Sequence, residues 1–226
     1  LKKNPRMLHQ VKTTPLNTTP WLSLGVLLFC AASTSWAAEL RVSSDQRHLL
    51  KDGQSFLYLG DTGWDIFMRL DREEADEYLQ NRADKGFNVI TTMLLGYKPS
   101  QDERNAYGES PLIDKDPTRP NEKYFQHVDY ILNKANALGM FVAVAPAWCD
   151  WMYQNVPPGP HPFNSTNAKT YGEYLGHRYK SHDVIWIIGG DRDPKGYEDV
   201  LRSMAAGLDD GDGDRELPLE RALLRF

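Results

Sequence analysis

Cysteine is nearly absent from this chain. There are two, Cys30 and Cys149, and Cys30 falls in a leader-like stretch, so the folded part can form no internal disulfide and must hold by packing. Acid is absent before Glu39. Long apolar runs are absent too: Trp21 to Ala32 is about a dozen residues, short for a bilayer span. No G-x-S-x-G, H-E-x-x-H, G-x-G-x-x-G or P-loop pattern occurs. That removes the usual sequence grounds for a serine-hydrolase elbow, a zincin site, a dinucleotide fold or a nucleotide triphosphatase. No internal repeat of the solenoid kind is evident.

The N-terminus holds a secretory pattern instead. Lys2, Lys3, Arg6 and Lys12 precede the apolar run, and Ser35-Trp36-Ala37 fits small-x-small cleavage. Residues 1–37 therefore read as a signal peptide cleaved near Ala37, with Met7 as the natural initiator and Leu1 to Arg6 as an upstream extension. Export to the periplasm or beyond the cell follows. Phe29 is too bulky to precede a lipidated Cys30. Losing four basic residues and no acid takes the formal charge from −5 to −9. That balance argues against nucleic acid and anionic membranes as partners of the mature chain. With 41% apolar and 25% charged residues, what remains is one globular core.

The stretch Asp183-Val-Ile-Trp-Ile-Ile-Gly-Gly-Asp191 organises that core. Val184 to Ile188 reads as a strand buried on both faces. Gly189-Gly190 then turns the backbone and delivers Asp191 at the strand's carboxyl end, where α/β sheets place their ligands. A capping role for Asp191, or pairing with Arg192, is the alternative. Upstream, Leu40–Val42, His48–Lys51 and Gln54–Leu59 read as short strands around an Asp52-Gly53 hairpin turn, the last running on to Asp61. Asp71 with Glu74 is a capping box opening a helix to Lys85. Strands Phe87–Leu95 and Met140–Pro146 and helices Asn121–Leu138, Thr166–Tyr179 and Tyr197–Leu208 complete four strand–helix units. Such alternation means a parallel sheet with right-handed crossovers. Asp209 to Asp214 reads as a solvated helix exit, since its calcium-loop spacing would end on Arg221 rather than Glu.

The strand ends offer Asp61 with Trp64, then Tyr97, Asn105 and Tyr107 on the long Gly96–Pro120 connection, then Trp148, Asp150 and Trp151, then Asp191 and Arg192. Acids and indoles on one rim suit a sugar, whose C–H faces stack on aromatic rings while its hydroxyls bond carboxylates. A packing role for Trp64 and Trp148, plugging the top of the sheet, is the alternative. His177 and His182 flank a helix end without acids at ligand spacing, which favours a solvated or dipole role over metal binding. Asp150 beside Cys149 would raise the thiol pKa and disfavour a nucleophilic cysteine.

His48-Leu-Leu-Lys-Asp-Gly53, Tyr58-Leu-Gly-Asp-Thr62 with Trp64, Asn105-Ala-Tyr-Gly108, Asp116-Pro-Thr-Arg-Pro-Asn-Glu122 with Tyr124-Phe125, His127-Val-Asp129 and Ile185-Trp-Ile-Ile-Gly-Gly-Asp-Arg192 occur in that order. In these stretches the chain resembles the apiosidase-like catalytic domain, glycoside hydrolase family 140. The resemblance implies a (β/α)8 barrel with acid and nucleophile at the ends of its fourth and seventh strands. It implies action on plant cell-wall glycans, including apiose-bearing pectin side chains, without metal or organic cofactor. Carried over by position, the general acid/base is Asp191, with Asp61, Trp64, Asn105, Tyr107, Trp148, Trp151 and Arg192 as substrate-binding residues. Apolar walls of the Trp186 kind are expected to bury Asp191 and raise its pKa.

The sequence departs from the family after residue 214. Strands five to eight and the strand-seven nucleophile are not readable, and Arg215 to Phe226 resembles an out-of-frame tail. The expectation is a barrel truncated to its first four βα units behind a short β-hairpin, inactive as it stands and prone to self-association. Two readings stay open beside it: a non-catalytic carbohydrate-binding protein, and a different small hydrolase on an open α/β sheet that pairs Asp61 with Asp191.

Overall fold

The computed structural model describes residue 38 and residues 40–99, 103–152 and 161–213. The leader read over residues 1–37 and the tail read over 215–226 lie outside them. Three short strands, β1 (Leu40–Val42), β2 (Leu49–Lys51) and β3 (Gln54–Phe56), form an antiparallel sheet in that order. Asp52 and Gly53, both at positive φ, make the turn between β2 and β3.

The segment expected to run as one strand from Gln54 to Asp61 instead changes sheets. Leu57 to Leu59 sits in no ladder, and Leu57 is 77% exposed. Asn88 stands in for the missing pairing: its side chain donates to the Leu57 carbonyl at 2.7 Å and accepts from the Leu59 amide at 2.9 Å. The chain then enters β4 (Gly60–Thr62), first strand of a parallel sheet ordered β4, β5 (Val89–Met93), β6 (Phe141–Ala145), β7 (Val184–Trp186). The registers Asp61 to Ile90, Ile90 to Val142 and Val142 to Val184 carry one layer across all four strands.

Each crossover is helical. A single turn, α1 (Ile66–Arg69), unforeseen in the sequence, precedes α2 (Arg72–Asp84). The capping box is as read: Asp71 accepts from the Glu74 amide at 2.9 Å, and Glu74 from the Asp71 amide at 3.0 Å. α3 (Glu122–Ala137) buries Tyr124, Phe125, Val128, Ile131, Leu132 and Ala135 along one stripe. α4 (Ser165–Tyr179) begins one residue before its expected start, under a second capping box made by Asn164 and Asn167. α5 (Glu198–Asp212) runs through most of the acidic glycine run expected to be a loop. Gly207 and Gly211 there pack on α4, and the helix ends at Gly213 with φ 66°.

Several motif residues hold helices rather than ligands. Arg178 on α4 makes paired hydrogen bonds to Glu122 and to Asp129 on α3, all between 2.7 and 2.9 Å. Asp116 accepts from the amide and hydroxyl of Thr118, closing a turn. His182 also departs from expectation. Burial pushes it below the ordinary histidine value, so it is no cation for a helix end. No helix among the described residues is long and apolar enough to cross a membrane.

Candidate active site

The rim at the carboxyl ends of β4 to β7 gathers three aromatic rings. Trp148, 8% exposed, meets Trp64 edge-on at 5.1 Å and Tyr97 at 5.5 Å between ring centres. Burial, then the nearby charges of Asp65 and Asp191, push the Tyr97 hydroxyl upward. Tyr97 and Asp65 were not among the expected binding residues. Asp65 directly follows Trp64, and that adjacency was the available signal.

The two glycines before Asp191 act for different reasons. Gly189 takes φ 104°, a conformation closed to residues with a side chain. Gly190 lies against the indole of Trp148 and the Cys149 sulfur, where a Cβ would come within 2.9 and 3.0 Å. Asp191 follows, exposed, with the Cys149 thiol 3.9 Å from its Oδ1. The expected apolar enclosure of Asp191 is absent. Trp186 turns toward the helix layer and meets Tyr179 at 6.2 Å. Neither alternative role appears among the described contacts. Arg192 pairs with Asp150, through Nε at 3.1 Å and Nη2 at 2.9 Å, and the residue at the N-terminus of α5 is Tyr197. Burial, reinforced by Asp150 and Asp191, pushes the Cys149 thiol up to about 11, which keeps it protonated and non-nucleophilic at neutral pH.

The remaining expected residues scatter. The Asp61 carboxylate takes hydrogen bonds from Arg82 and from Tyr78 (2.9 Å), both on α2, so it is spent on the helix layer. Burial opposes its charge, yet the Arg82 and Tyr78 bonds prevail and hold Asp61 below the ordinary aspartate value. Trp151 is fully buried and donates to the Gly96 carbonyl at 2.6 Å, which makes it a plug under the loop. Asn105 is buried and accepts from the amides of Tyr107 and Glu109, both at 3.0 Å, shaping its own loop. Tyr107 is half exposed, meets His127 edge-on at 5.1 Å and accepts from the Arg72 amide. Trp64, Trp148, Asp191 and Arg192 thus come together with Tyr97, Cys149 and Asp150. No described contact joins Asp61, Asn105 or Tyr107 to them. Among the described residues no three His, Cys, Asp or Glu side chains gather as metal ligands.

Four parallel βα units, an aromatic rim and a carboxylate after the fourth strand that forms no ion pair among the described residues define the barrel glycoside hydrolases as the class. A model of the apiosidase-like catalytic domain matches residues 43–220, and the chain belongs to that family. Among solved structures, a family 5 glycoside hydrolase from Bacteroides vulgatus ATCC 8482 is 29% identical with a TM-score of 0.66, over 77% of this chain and 37% of that one. Another, described as a glycoside hydrolase, is 31% identical with a TM-score of 0.67, over 77% and 39%. The endo-1,4-beta-mannanase of Rhizomucor miehei, 15% identical with a TM-score of 0.52 over 76% and 58%, shares the fold. No curated protein matches. The chain spans 37 to 39% of the length of the first two structures, and its fold is a partial (β/α)8 barrel.

Proposed function

We propose that this chain carries the proton-donor half of a secreted glycosidase acting on plant cell-wall glycans, with apiosyl side chains of pectin as the substrate class. The observation that carries the reading is Asp191: an exposed carboxylate on the aromatic rim, with no ion-pair partner among the described residues and a cationic neighbour committed elsewhere. In this reading Asp191 protonates the leaving glycosidic oxygen while a second carboxylate, its carboxyl group roughly 5 Å from that of Asp191, attacks the anomeric carbon. That partner belongs to a later strand, so the described residues bind sugar on Trp64, Tyr97 and Trp148 without turning it over. Export through residues 1–37 places the rim where such glycans are.

The test is an assay of a barrel carrying all eight strands. Asp191→Asn is expected to lower hydrolysis of alkyl apiosides by about 100-fold or more. Aryl apiosides with good leaving groups should be far less affected, because their departure needs little protonation. An Asp191→Asn rate equal to that of the unsubstituted barrel on alkyl apiosides would remove Asp191 from the mechanism. The non-catalytic alternative predicts sugar affinity without turnover even in that complete barrel. The pairing of Asp61 with Asp191 is disfavoured, because Arg82 and Tyr78 already occupy Asp61.

A further inference from the structure

Three consecutive residues after β7 are matched one by one to the loop after β6. Gly190 packs on the ring of Trp148 and the Cys149 sulfur. The Cys149 thiol faces Asp191 Oδ1 at 3.9 Å, and its other acceptor is Asp150 Oδ2 at 3.6 Å. Arg192 grips Asp150 with two donors, the arrangement in which a guanidinium fixes direction as well as distance. Asp150 is buried, and its own carbonyl meets His161 Nδ1 at 2.7 Å, so the acceptor end of the clamp is anchored. On the other side the Arg192 carbonyl lies 3.5 Å from the Tyr197 hydroxyl at the start of α5. Between these two held neighbours Asp191 has a positive-φ glycine hinge behind it and solvent in front.

We infer that Asp150 and Cys149 are positioning residues for Asp191, acting through the Arg192 clamp and the thiol contact, and that Arg192 serves this purpose rather than binding sugar. The inference rests on the reading of Asp191 as proton donor, and it deepens that reading. Without the clamp, the turn after Gly189 would keep its hinge and lose its stop. The carboxylate would then sample positions away from Cys149. An acid that must meet a glycosidic oxygen within hydrogen-bond reach loses rate steeply on such displacement.

Cys149 supplies a reporter that needs no turnover. In the full 226-residue chain carrying Cys30→Ser, the Cys149 thiol can be titrated by the 13Cβ chemical shift of labelled cysteine, which the tyrosines do not obscure. With the clamp intact, Asp191→Asn is expected to lower the thiol pKa by roughly one pH unit, because a negative charge about 4 Å away is removed. In an Arg192→Gln background the same substitution should have less than half that effect, and in Arg192→Lys an intermediate one. The double-mutant comparison cancels the direct influence of Arg192 on the thiol. Asp150→Asn serves the same purpose if Arg192→Gln fails to fold, as judged by circular dichroism. An Asp191→Asn effect of full size without the clamp would overturn the proposal, as would no effect with the clamp intact. Loss of hydrolysis in Asp191→Asn, measured separately in the eight-stranded barrel, tests the proton-donor reading independently of this result.

Discussion

Arg192 could have neutralised the aspartate beside it, and its Nε and Nη2 donors go to Asp150 instead. Asp61 shows the opposite fate, a rim-strand acid taken out of use by Arg82 and Tyr78. Sequence alone could not separate the two, because each reads as an aspartate closing a strand. The deciding partner lies 21 residues away for Asp61 and 42 for Arg192. Asp61→Asn should therefore cost about 1–3 kcal/mol of stability in urea unfolding and leave sugar affinity unchanged. Histidine sets the acid limit. His127 holds the Leu70 carbonyl at 3.0 Å through Nε2, while its buried Nδ1 has no partner among the described residues. Burial, the leading cause, pushes His127 below 6.5, and His182 shifts the same way. Below that pH the unfolded chain binds more protons than the folded one. The stabilisation is thus complete above about 6.5 and is lost as pH falls through the depressed folded values, each group contributing at most about 1.4 kcal/mol per pH unit. Urea midpoints measured from pH 7.5 to 5 should decline, and His127→Gln should flatten the decline.

Helices α2, α3 and α4 were legible because apolar stripes and capping boxes are local signals. The stripe of α3 and the Asp71–Glu74 box needed nothing beyond neighbouring residues. The sheet change at Leu57 was not legible, since its cause is Asn88 on the next strand unit. The glycines of the last two helices were not legible either. Gly172 and Gly176 on α4 face Gly207 and Gly211 on α5, and a Cβ at any of the four would fall 2.1 to 2.5 Å from a backbone atom of the other helix. Read alone, a helical glycine only weakens its helix. Read as a pair of helices, these four permit a backbone approach that no other residue allows. That approach fixes where α5, and with it the loop bearing Asp191, can sit. Gly207→Ala raises helix propensity by about 1 kcal/mol, yet the overlap with the Lys169 carbonyl should outweigh it. The expected outcome is a net loss of about 1–3 kcal/mol in urea unfolding, and a more stable variant would show that the contact can relax.

The parallel sheet has β4 and β7 as its ends among the described residues, and in an eight-stranded barrel both edges would be paired. The exposed side chain of Thr62 and the half-buried Val184 flank these edges, and neither is a charged residue of the kind that guards natural edges. The backbone of a β7 edge matches that of a β4 edge in direction when two such sheets meet around one axis. Strand pairing between copies of the 226-residue chain is therefore the expected behaviour. Sedimentation velocity across a range of concentrations should show mass above the monomer, growing as concentration rises. Val184→Lys or Thr62→Lys, each placing a charge at one edge, should shift the distribution toward monomer without changing the circular dichroism of the helices. A wild-type chain that remains monomeric at every concentration and unfolds in one cooperative step would mean that its edges are already satisfied. The need for a complementary half would then fall, and with it the reason to place the second carboxylate on a later strand.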